Sequence, residues 1–464
     1  YGLLLKWSYD GIPDDTFGTD GIIQPGWPGE FWDMTVLPDG KWIVTGVRTS
    51  GDGDFGVAKY GPDGDPDFSF GPTGEGYLSL NFSGSADYAF HTEIDAQGHI
   101  FTLGASYVTR SEGMLLKYQP DGTRDAGFGD NGLRKRLFVV PGQNEYVNSS
   151  ALQPDGKILI CGMTRVSSGP PMDSIFIGRL NADGTIDKDF GQQGRFTYTK
   201  GMYFYMSVKD VQLQADGRIL YAGQYQYDIG KDTSFVGRLL PNGQPDPEWG
   251  QGGLVLADDG VDIENIHITP DNKVIVAGDK KDQATTYNHY IGRLNSDGSP
   301  DTGYGTGGFT SSDLNNAKDL FADFNIAADG SALAVAIVIG NSISYLVVFK
   351  YLPNGMPDVA FGNGGYAIAP TGTLPNINID YKNTASIDVQ PDGKIVLAGT
   401  QWFSGSNDII VYRLLPNGTP DSEFGLGGSV NIDVFGYRDF CKDLTIRPNG
   451  KILITGYTDN GKDN

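Results

Sequence analysis

Short apolar runs alternate with turn signals along the whole chain of 464 residues. Within the runs, apolar and polar positions alternate with a period of two, and no long run has the helical period, which predicts strands. A turn followed by an apolar run, as at residues 38–44, recurs every 55 to 63 residues. A period this long, in units of several strands, is typical of a propeller or a solenoid. The turn residues are Gly40, Gly98, Gly156, Gly217, Asn272, Gly330, Gly393 and Gly450.

A second pattern, 16 residues long, alternates with the first and occurs eight times without an insertion. It has a basic residue, an Asp-Gly or Asn-Gly turn, an aspartate eight positions after the basic residue, and an aromatic-Gly-x-x-Gly tail. We predict that the basic residue and the aspartate pair across the turn, and that the aromatic tail fills the gap between neighbouring units. A protein rarely needs eight identical active sites, so the pattern indicates architecture. The pairs are Lys6 and Asp14, Lys59 and Asp67, Lys117 and Asp125, Arg179 and Asp187, Arg238 and Asp246, Arg293 and Asp301, Lys350 and Asp358, and Arg413 and Asp421.

Each unit contains four predicted strands, A to D, which in the third unit lie at 147–153, 157–163, 174–180 and 194–198. The sequence opens within strand C, at 2–7, and stops after strand B, at 451–457, so its two ends are predicted to complete one blade together. We therefore predict an all-β protein, one eight-bladed β-propeller domain over residues 1–464. Its blade 8 is formed by 441–464 plus 1–24. The alternative is a fragment cut from a longer array.

Residues 152–159 and 413–425, which carry the two patterns, resemble the delta-60 repeat family. The resemblance covers essentially the whole chain and implies a β-propeller-like fold in a large secreted or cell-surface protein of bacteria. In Bacteroidetes such proteins often carry a C-terminal sorting domain for type IX secretion; no such domain appears in this sequence, so that route is one option among others. The family has no general catalytic signature. The departures, which weaken single blades, are Asn272 for the turn glycine, Ser331 for the lysine after it, and Trp249 or Tyr304 for phenylalanine.

Composition narrows the classes of partner. The net charge of −23 disfavours nucleic acid and anionic lipid surfaces, which attract basic proteins. The longest apolar run, 332–339, is too short to span a bilayer, so direct membrane insertion is not expected. Cys161 and Cys441 fall in different predicted blades, and we interpret both as packing residues. The four histidines show no metal-binding spacing.

Aromatic residues gather in the loops of variable length, which the alternation of antiparallel turns places on one face of the ring. These loops belong to blades 7, 8, 1 and 2, one continuous arc of a closed ring. Flat amphipathic rings beside carboxylates suit a glycan, a peptide or a partner protein. The alternative is that the rings only pack the loops onto the blades. The predicted ligand-binding residues are Trp27, Phe31, Trp32, Tyr88, Phe90, Trp402, Phe403, Phe435 and Tyr437.

Polar positions of strand A are predicted to line a central channel. Asp33, Asp210, Asp323 and Asp443 share one level of it, where carboxylates could help to bind calcium, although solvated channel lining is the alternative. No other cofactor and no catalytic residue is assigned. The leading hypothesis is a non-enzymatic extracellular or cell-surface binding module of unknown oligomeric state. The two alternatives are a carbohydrate-active hydrolase or lyase with carboxylates at the channel mouth, among Glu30, Glu93, Asp388 and Asp443, and a structural subunit of a larger surface assembly.

Overall fold

The structure is a computed structural model, and it describes most of the chain. The described residues are 2–23, 29–48, 53–82, 86–107, 110–138, 142–166, 173–199, 205–228, 231–258, 260–281, 287–314, 317–339, 344–369, 385–403, 406–447 and 449–459. Within them, side chains are described except at 227, 228, 231, 232, 344, 402 and 403. None of the described segments is a helix long and apolar enough to cross a bilayer.

The described residues form 32 strands in eight four-stranded antiparallel sheets, which confirms the predicted propeller. Blades are numbered from the first turn glycine, and the strands of each follow the order A to D. Blade 1 consists of β3 (Gly29–Val36), β4 (Trp42–Arg48), β5 (Asp54–Tyr60) and β6 (Tyr77–Leu80), and blade 2 of β7 (Asp87–Ile94), β8 (Ile100–Tyr107), β9 (Ser111–Tyr118) and β10 (Leu133–Lys135). Blade 3 consists of β11 (Gln143–Leu152), β12 (Ile158–Val166), β13 (Asp173–Leu180) and β14 (Arg195–Tyr198), and blade 4 of β15 (Tyr205–Leu213), β16 (Ile219–Asp228), β17 (Lys231–Leu239) and β18 (Leu254–Leu256).

Blades 5 to 8 repeat the arrangement. Blade 5 consists of β19 (Val261–Ile268), β20 (Val274–Lys281), β21 (Tyr287–Leu294) and β22 (Phe309–Ser311), and blade 6 of β23 (Lys318–Ile326), β24 (Ala332–Ile339), β25 (Ser344–Tyr351) and β26 (Tyr366–Ile368). Blade 7 consists of β27 (Ala385–Val389), β28 (Ile395–Phe403), β29 (Ser406–Leu414) and β30 (Ser429–Ile432), and blade 8 of β31 (Arg438–Ile446), β32 (Ile452–Asp459), β1 (Gly2–Trp7) and β2 (Ile22–Ile23).

The two ends of the sequence share blade 8, as predicted. Strand β1 pairs with β32 in antiparallel register from Gly2↔Tyr457 to Trp7↔Ile452. Each blade contacts the next, and β3 of blade 1 contacts β31 and β32 of blade 8. The A strands of neighbouring blades contact one another at no fewer than seven of the eight junctions, which places strand A innermost and strand D at the rim. This closure completes blade 8, so that every B and C strand of the described sheets is paired on both sides.

The hydrophobic core lies between the blades. Its buried clusters each join two consecutive blades; one cluster, for example, contains Leu159 of blade 3 and Val211 of blade 4. The aromatic residues of the 16-residue pattern fill the gaps between the blades, and all eight are at most 1% exposed. Phe128 of blade 2 packs beneath the C–D turn of blade 3, where a Cβ on Gly184 would lie 3.0 Å from the ring. Gly184 also has φ of +79°, so glycine is required there for two reasons.

The repeated basic residue and aspartate form an ion pair across the C–D turn, as predicted. In blade 3, Arg179 Nε lies 2.8 Å from Asp187 Oδ2, and Arg179 Nη1 donates to the carbonyl of Pro241 in blade 4 at 2.6 Å. The sequence did not predict the third member of this network. Lys157, which follows the A–B turn, also lies 3.0 Å from Asp187 Oδ2. In blade 3 the network therefore joins two turns of the blade and reaches blade 4, whereas blade 6 lacks the third member, because Ser331 replaces the lysine.

Every described A strand except that of blade 7 contains a β-bulge, which the sequence did not reveal. In β3 the register passes from Phe31↔Gly46 to Asp33↔Thr45, so Trp32 has no partner on β4. Because side chains alternate between faces, one extra residue exchanges the faces of all residues before it. The bulged residues are Trp32, Phe90, Asn148, Lys209, Glu264, Ala322 and Lys442.

Candidate functional site

The bulges decide which aromatic side chains reach the surface. The face that carries the B–C turns and the D–A loops is called the variable face below. In β3, the bulge turns Trp32 out of the core, where it is half-buried, and turns Phe31 into the core, where it is fully buried. Phe31, one of the aromatic residues that lead into blade 1 and were predicted to bind a ligand, is therefore in the core and not on the variable face.

Three of the predicted ligand-binding residues form a stack at the junction of blades 1 and 2. The ring of Trp32 lies 5.2 Å from that of Tyr88 and 5.8 Å from that of Phe90, at interplanar angles of 13° and 2°. The rings of Tyr88 and Phe90 are themselves within 11° of parallel. Trp32 is further oriented by a hydrogen bond from its Nε1 to Glu30 Oε2, at 3.1 Å. The three rings are thus held with nearly parallel faces.

A cleft adjoins this stack between blades 2 and 3. It has a volume of about 310 Å³ and is lined by Phe90, Ala105, Tyr107, Tyr146, Val147 and Asn148. Tyr107 packs edge-on against Tyr88, with ring centroids 5.5 Å apart, so the stack and the cleft share one wall. Tyr107 is 38% exposed. Tyr107 and Tyr146 were not predicted from the sequence, since neither lies in the loops that are rich in aromatic residues.

The remaining predicted aromatics lie elsewhere or outside the described residues. Trp27 is outside them, and so are the side chains of Trp402 and Phe403. Phe435 is 68% exposed, in the D–A loop that enters blade 8, and has φ of +60°. Tyr437 is half-buried, and its carbonyl accepts a hydrogen bond from the hydroxyl of Ser406 at 2.6 Å. The structure therefore brings together Trp32, Tyr88 and Phe90 but gives Phe435 and Tyr437 no ring contact with them.

The four aspartates predicted to bind a metal all belong to the innermost strands, where their carboxylates join blade to blade. Asp33 accepts the backbone N–H of Met34 at 2.9 Å and, with its other oxygen, that of Thr92 in blade 2 at 2.7 Å. Asp323 does the same with Phe324 and with Ile387 of blade 7, at 2.8 and 3.0 Å. These carboxylates lie along the wall, turned toward backbone amides.

No three of Asp33, Asp210, Asp323 and Asp443 bring one oxygen each within 4.8 Å of the others. Calcium usually takes six to eight oxygen ligands, so this wall offers it no convergent set. Burial raises the pKa of Asp443 to about 6, and the negative charges of Asp323 and Asp33 act in the same direction. Asp323 and Asp443 share the hydroxyl of Ser386, at 2.9 and 3.3 Å, beside a cavity of about 300 Å³.

A second set of acidic residues, which the sequence analysis missed, is buried beneath the variable face. Asp87, Glu145, Asp319 and Asp439 are 0% exposed, and each lies 11 positions before a turn glycine, a fixed offset that could have revealed them. Burial raises the pKa of Asp87, and it raises the pKa of Glu145, Asp319 and Asp439 to about 7. They hold the D–A loops in place by accepting backbone N–H groups of Phe82, of Leu137 and Phe138, of Leu314 and of Val434.

The fold defines an eight-bladed β-propeller with an aromatic cleft on its variable face. Five stretches of the chain match the family model described as a domain of unknown function (DUF5122) β-propeller, at residues 37–70, 153–190, 214–248, 269–304 and 390–424. The matches begin near the A–B turn and end at or near the motif aromatic. The chain thus fits a propeller repeat family in the broad sense. None of the curated proteins matches its sequence.

Several solved structures are similar in outline. The polysaccharide lyase Uly1 has a TM-score of 0.44 and 9% identity, with 98% of each chain covered. A PL25 ulvan lyase has a TM-score of 0.39 and 10% identity, with 89% of this chain and 96% of the other covered. The Nup133 β-propeller domain of Vanderwaltozyma polyspora has a TM-score of 0.37 and 8% identity, with 80% and 99% covered. Likenesses at these scores carry no inference about the chemistry of this chain.

Proposed function

We propose that this chain is a non-enzymatic binding module that takes a glycan in the aromatic cleft on its variable face. The observation that carries the proposal is the stack of Trp32, Tyr88 and Phe90, whose half-buried rings lie within 13° of parallel beside an open cleft. Flat ring faces bind the apolar C–H faces of sugars, whereas a stack needed only for packing would be covered. A peptide or a partner protein would use the same surface.

The cleft supports this proposal by its size and its lining. A volume of about 310 Å³ is at the lower end of the range of small-ligand sites, enough for one or two sugar rings. Its walls are aromatic and aliphatic, and the side chain of Asn148, whose Nδ2 donates to Ser207 and Val208, adds a polar group to the lining. Glu30, which orients Trp32, has a carboxylate available to accept hydroxyl hydrogen bonds. Apolar walls with a few polar groups are the usual composition of such sites.

We propose further that the protein works outside the cell or at the bacterial cell surface. The resemblance to the delta-60 repeat family supports this location, with type IX secretion as one route. The net charge of −23 supports a partner other than nucleic acid or an anionic bilayer. A glycan or an extracellular protein is the partner that agrees with both.

The test is a glycan array followed by calorimetry with the best ligand. Trp32→Ala and Tyr107→Ala should each weaken binding by at least tenfold, because an aromatic anchor at a binding centre contributes about 2 kcal/mol or more. Phe435→Ala is the matched control, since Phe435 is more exposed and lies on the same face, outside the stack. Melting curves verify that the variants are folded. Equal losses in all three variants, or none in Trp32→Ala, would contradict the assignment.

The alternative of a carbohydrate-active enzyme is favoured by one observation in the channel. Asp443, with its pKa raised to about 6, and Asp323 contact the same serine hydroxyl, so one of them can hold a proton while the other is ionised. This alternative predicts release of soluble saccharide from a polysaccharide that binds, and loss of that product in Asp443→Asn. Binding without product supports the binding module.

A further inference from the structure

Three carboxylates converge on the variable face at the junction of blades 7 and 8. Asp408 is near the start of β29, Asp433 is in the loop between β30 and β31, and Asp439 is the second residue of β31. One oxygen of each lies within 4.8 Å of the other two, the only such set among the described residues. Asp408 and Asp439 are 2% and 0% exposed, whereas Asp433 is exposed. Asp408 and Asp439 therefore form the buried floor of the set, and Asp433 forms its solvent-accessible lip.

The two buried carboxylates each have one oxygen without a donor in hydrogen-bonding geometry. Asp408 Oδ2 accepts the side-chain amide of Asn431 at 2.9 Å, and Asp439 Oδ2 accepts the backbone N–H of Val434 at 2.7 Å. Oδ1 of both residues is buried outside hydrogen-bonding geometry, although the Thr458 hydroxyl interacts with the carboxylate of Asp439, and among the described residues Asp408 has no such second neighbour. Buried carboxylate oxygens are costly to leave unpaired. Asp87 and Asp319, which correspond to Asp439 at two other junctions, also have an unpaired Oδ1, so the feature particular to this junction is the second unpaired carboxylate oxygen, that of Asp408.

No described lysine or arginine supplies that positive charge. Within the described chain, no ion pair involves Asp408, Asp433 or Asp439. The nearest basic residue in sequence, Arg438, is exposed and lies 3.6 Å from Asp459 instead. Three ionised carboxylates this close repel one another, and either a bound proton or a cation between them relieves that repulsion.

We propose that Asp408, Asp433 and Asp439 bind a calcium ion at this junction. Calcium takes carboxylate oxygens in a flexible arrangement, and the exposed lip at Asp433 leaves room for the waters that complete its coordination. Bound there, the ion would join β29 of blade 7 to the D–A loop and the A strand of blade 8. The site is distinct from the channel aspartates and does not depend on the glycan proposal.

Two other junctions of the same ring provide internal controls. They have the same three positions, but an amide replaces one carboxylate in each. At blades 1 and 2, the amide of Asn81 donates to Asp54 Oδ1 at 2.8 Å, so the position of the cation is filled by a hydrogen-bond donor. The control sets are Asp54, Asn81 and Asp87, and Asn288, Asp313 and Asp319.

The experiment uses calcium chloride alone as the probe. The chelator-treated chain is titrated by calorimetry, beside Asp433→Asn at the lip and Asp313→Asn at the control junction. Asp433→Asn should weaken calcium binding at least tenfold, whereas Asp313→Asn should leave it unchanged. Calcium at one hundred times its Kd should raise the melting temperature by about 3 °C in the unmodified chain and in Asp313→Asn.

Three outcomes would overturn the proposal: no binding by the unmodified chain at 10 mM calcium (about ten times the Kd of the weakest natural sites), equal binding by Asp433→Asn, or an equal loss in Asp313→Asn. An equal response to magnesium would overturn the assignment to calcium. Asp408→Asn serves as a second variant, because it removes a floor ligand and keeps the shape of the side chain.

Discussion

Replacement of Asp187 by alanine tests whether the repeated aspartate stabilises the ring. Its Oδ2 accepts from Lys157 and Arg179 at 3.0 and 2.8 Å, and its Oδ1 accepts the backbone N–H of Asp189 at 3.2 Å. Burial alone would raise the pKa of Asp187, but the hydrogen bonds from Lys157 and Arg179 outweigh it and hold the pKa below its usual value. The alanine variant removes the anion and leaves the buried guanidinium of Arg179 without its partner.

The expected loss of stability follows from the unpaired, buried guanidinium of Arg179. Breaking a buried ion pair by removing one partner costs about 3–5 kcal/mol. A chain of 464 residues has an unfolding entropy of about 1 kcal/mol/K near its midpoint. The melting temperature should therefore fall by about 3–5 °C, measured by differential scanning calorimetry at pH 7. Ligand binding at the aromatic cleft should not change, because Asp187 lies at a C–D turn on the opposite face.

Blade 6 offers a matched comparison within the same chain. There Ser331 occupies the position of Lys157, so Asp358 pairs only with Lys350, at 3.2 Å. A lysine can extend toward water when its partner is lost, which a guanidinium packed on the ring of Phe190 cannot easily do. Asp358→Ala should therefore lower the melting temperature by only about 1–2 °C.

A double variant refutes or supports the reasoning. If the stranded charge causes the loss, Arg179→Leu combined with Asp187→Ala should be more stable than Asp187→Ala alone. Additive losses in the double variant, or equal effects of Asp187→Ala and Asp358→Ala, would show that the charge is not the cause. Loss of ligand binding at unchanged melting temperature would overturn the structural role altogether.

Three further predictions concern the core and its buried acids. The raised pKa values of Glu145, Asp319 and Asp439, about 7, mean that their protonation stabilises the fold fully below about pH 4 and that this stability is lost as the pH rises through 7. Melting temperature should fall by about 3 °C per pH unit between pH 5 and 7, and Glu145→Gln should reduce that slope by about a third; a flat profile would contradict it. Phe31→Ala should cost about 3–5 kcal/mol by urea unfolding, against under ~0.5 kcal/mol for Phe435→Ala, and similar values would show that Phe31 is not core. Gly184→Ala should destabilise by at least about 1 kcal/mol in the same assay, because its backbone has positive φ and its Cβ would meet Phe128; no loss would contradict that packing.

The fold could be predicted because its signals are local and repeated. The turn glycines and the 16-residue pattern fix the strands and the A–B and C–D turns, and a ring repeats the same evidence eight times. Predicted strand bounds in blade 3 differ from those observed by at most four residues; strand A begins at Gln143 instead of residue 147. The pairing of β1 with β32 also followed, since the missing strands of one end are those present at the other.

The candidate site was harder to predict because it depends on register and on contacts between blades. A single bulge at Trp32 decides that Phe31 is buried, and nothing in the local sequence marks the bulge. Tyr107 of blade 2 and Tyr146 of blade 3 line the same cleft, but in the sequence both lie outside the loops that are rich in aromatic residues. The convergence of Asp408 with Asp439 likewise joins strands of different blades. Such contacts follow from three-dimensional packing and not from spacing along the chain.

The bulges also have a consequence for how this scaffold can change. In each bulged blade, one residue of strand A has no residue opposite it in the register with strand B, so cross-strand pairing within the blade does not constrain its side chain; Lys209 and Glu264 instead pair with each other between blades, at 2.7 Å. The chain already has tryptophan, phenylalanine, asparagine, lysine, glutamate and alanine at these positions. Substitutions there alter the chemistry of the surface while the core between the blades is kept. The ring thus offers a circle of interchangeable positions through which new ligand specificity can evolve or be engineered without rebuilding the fold.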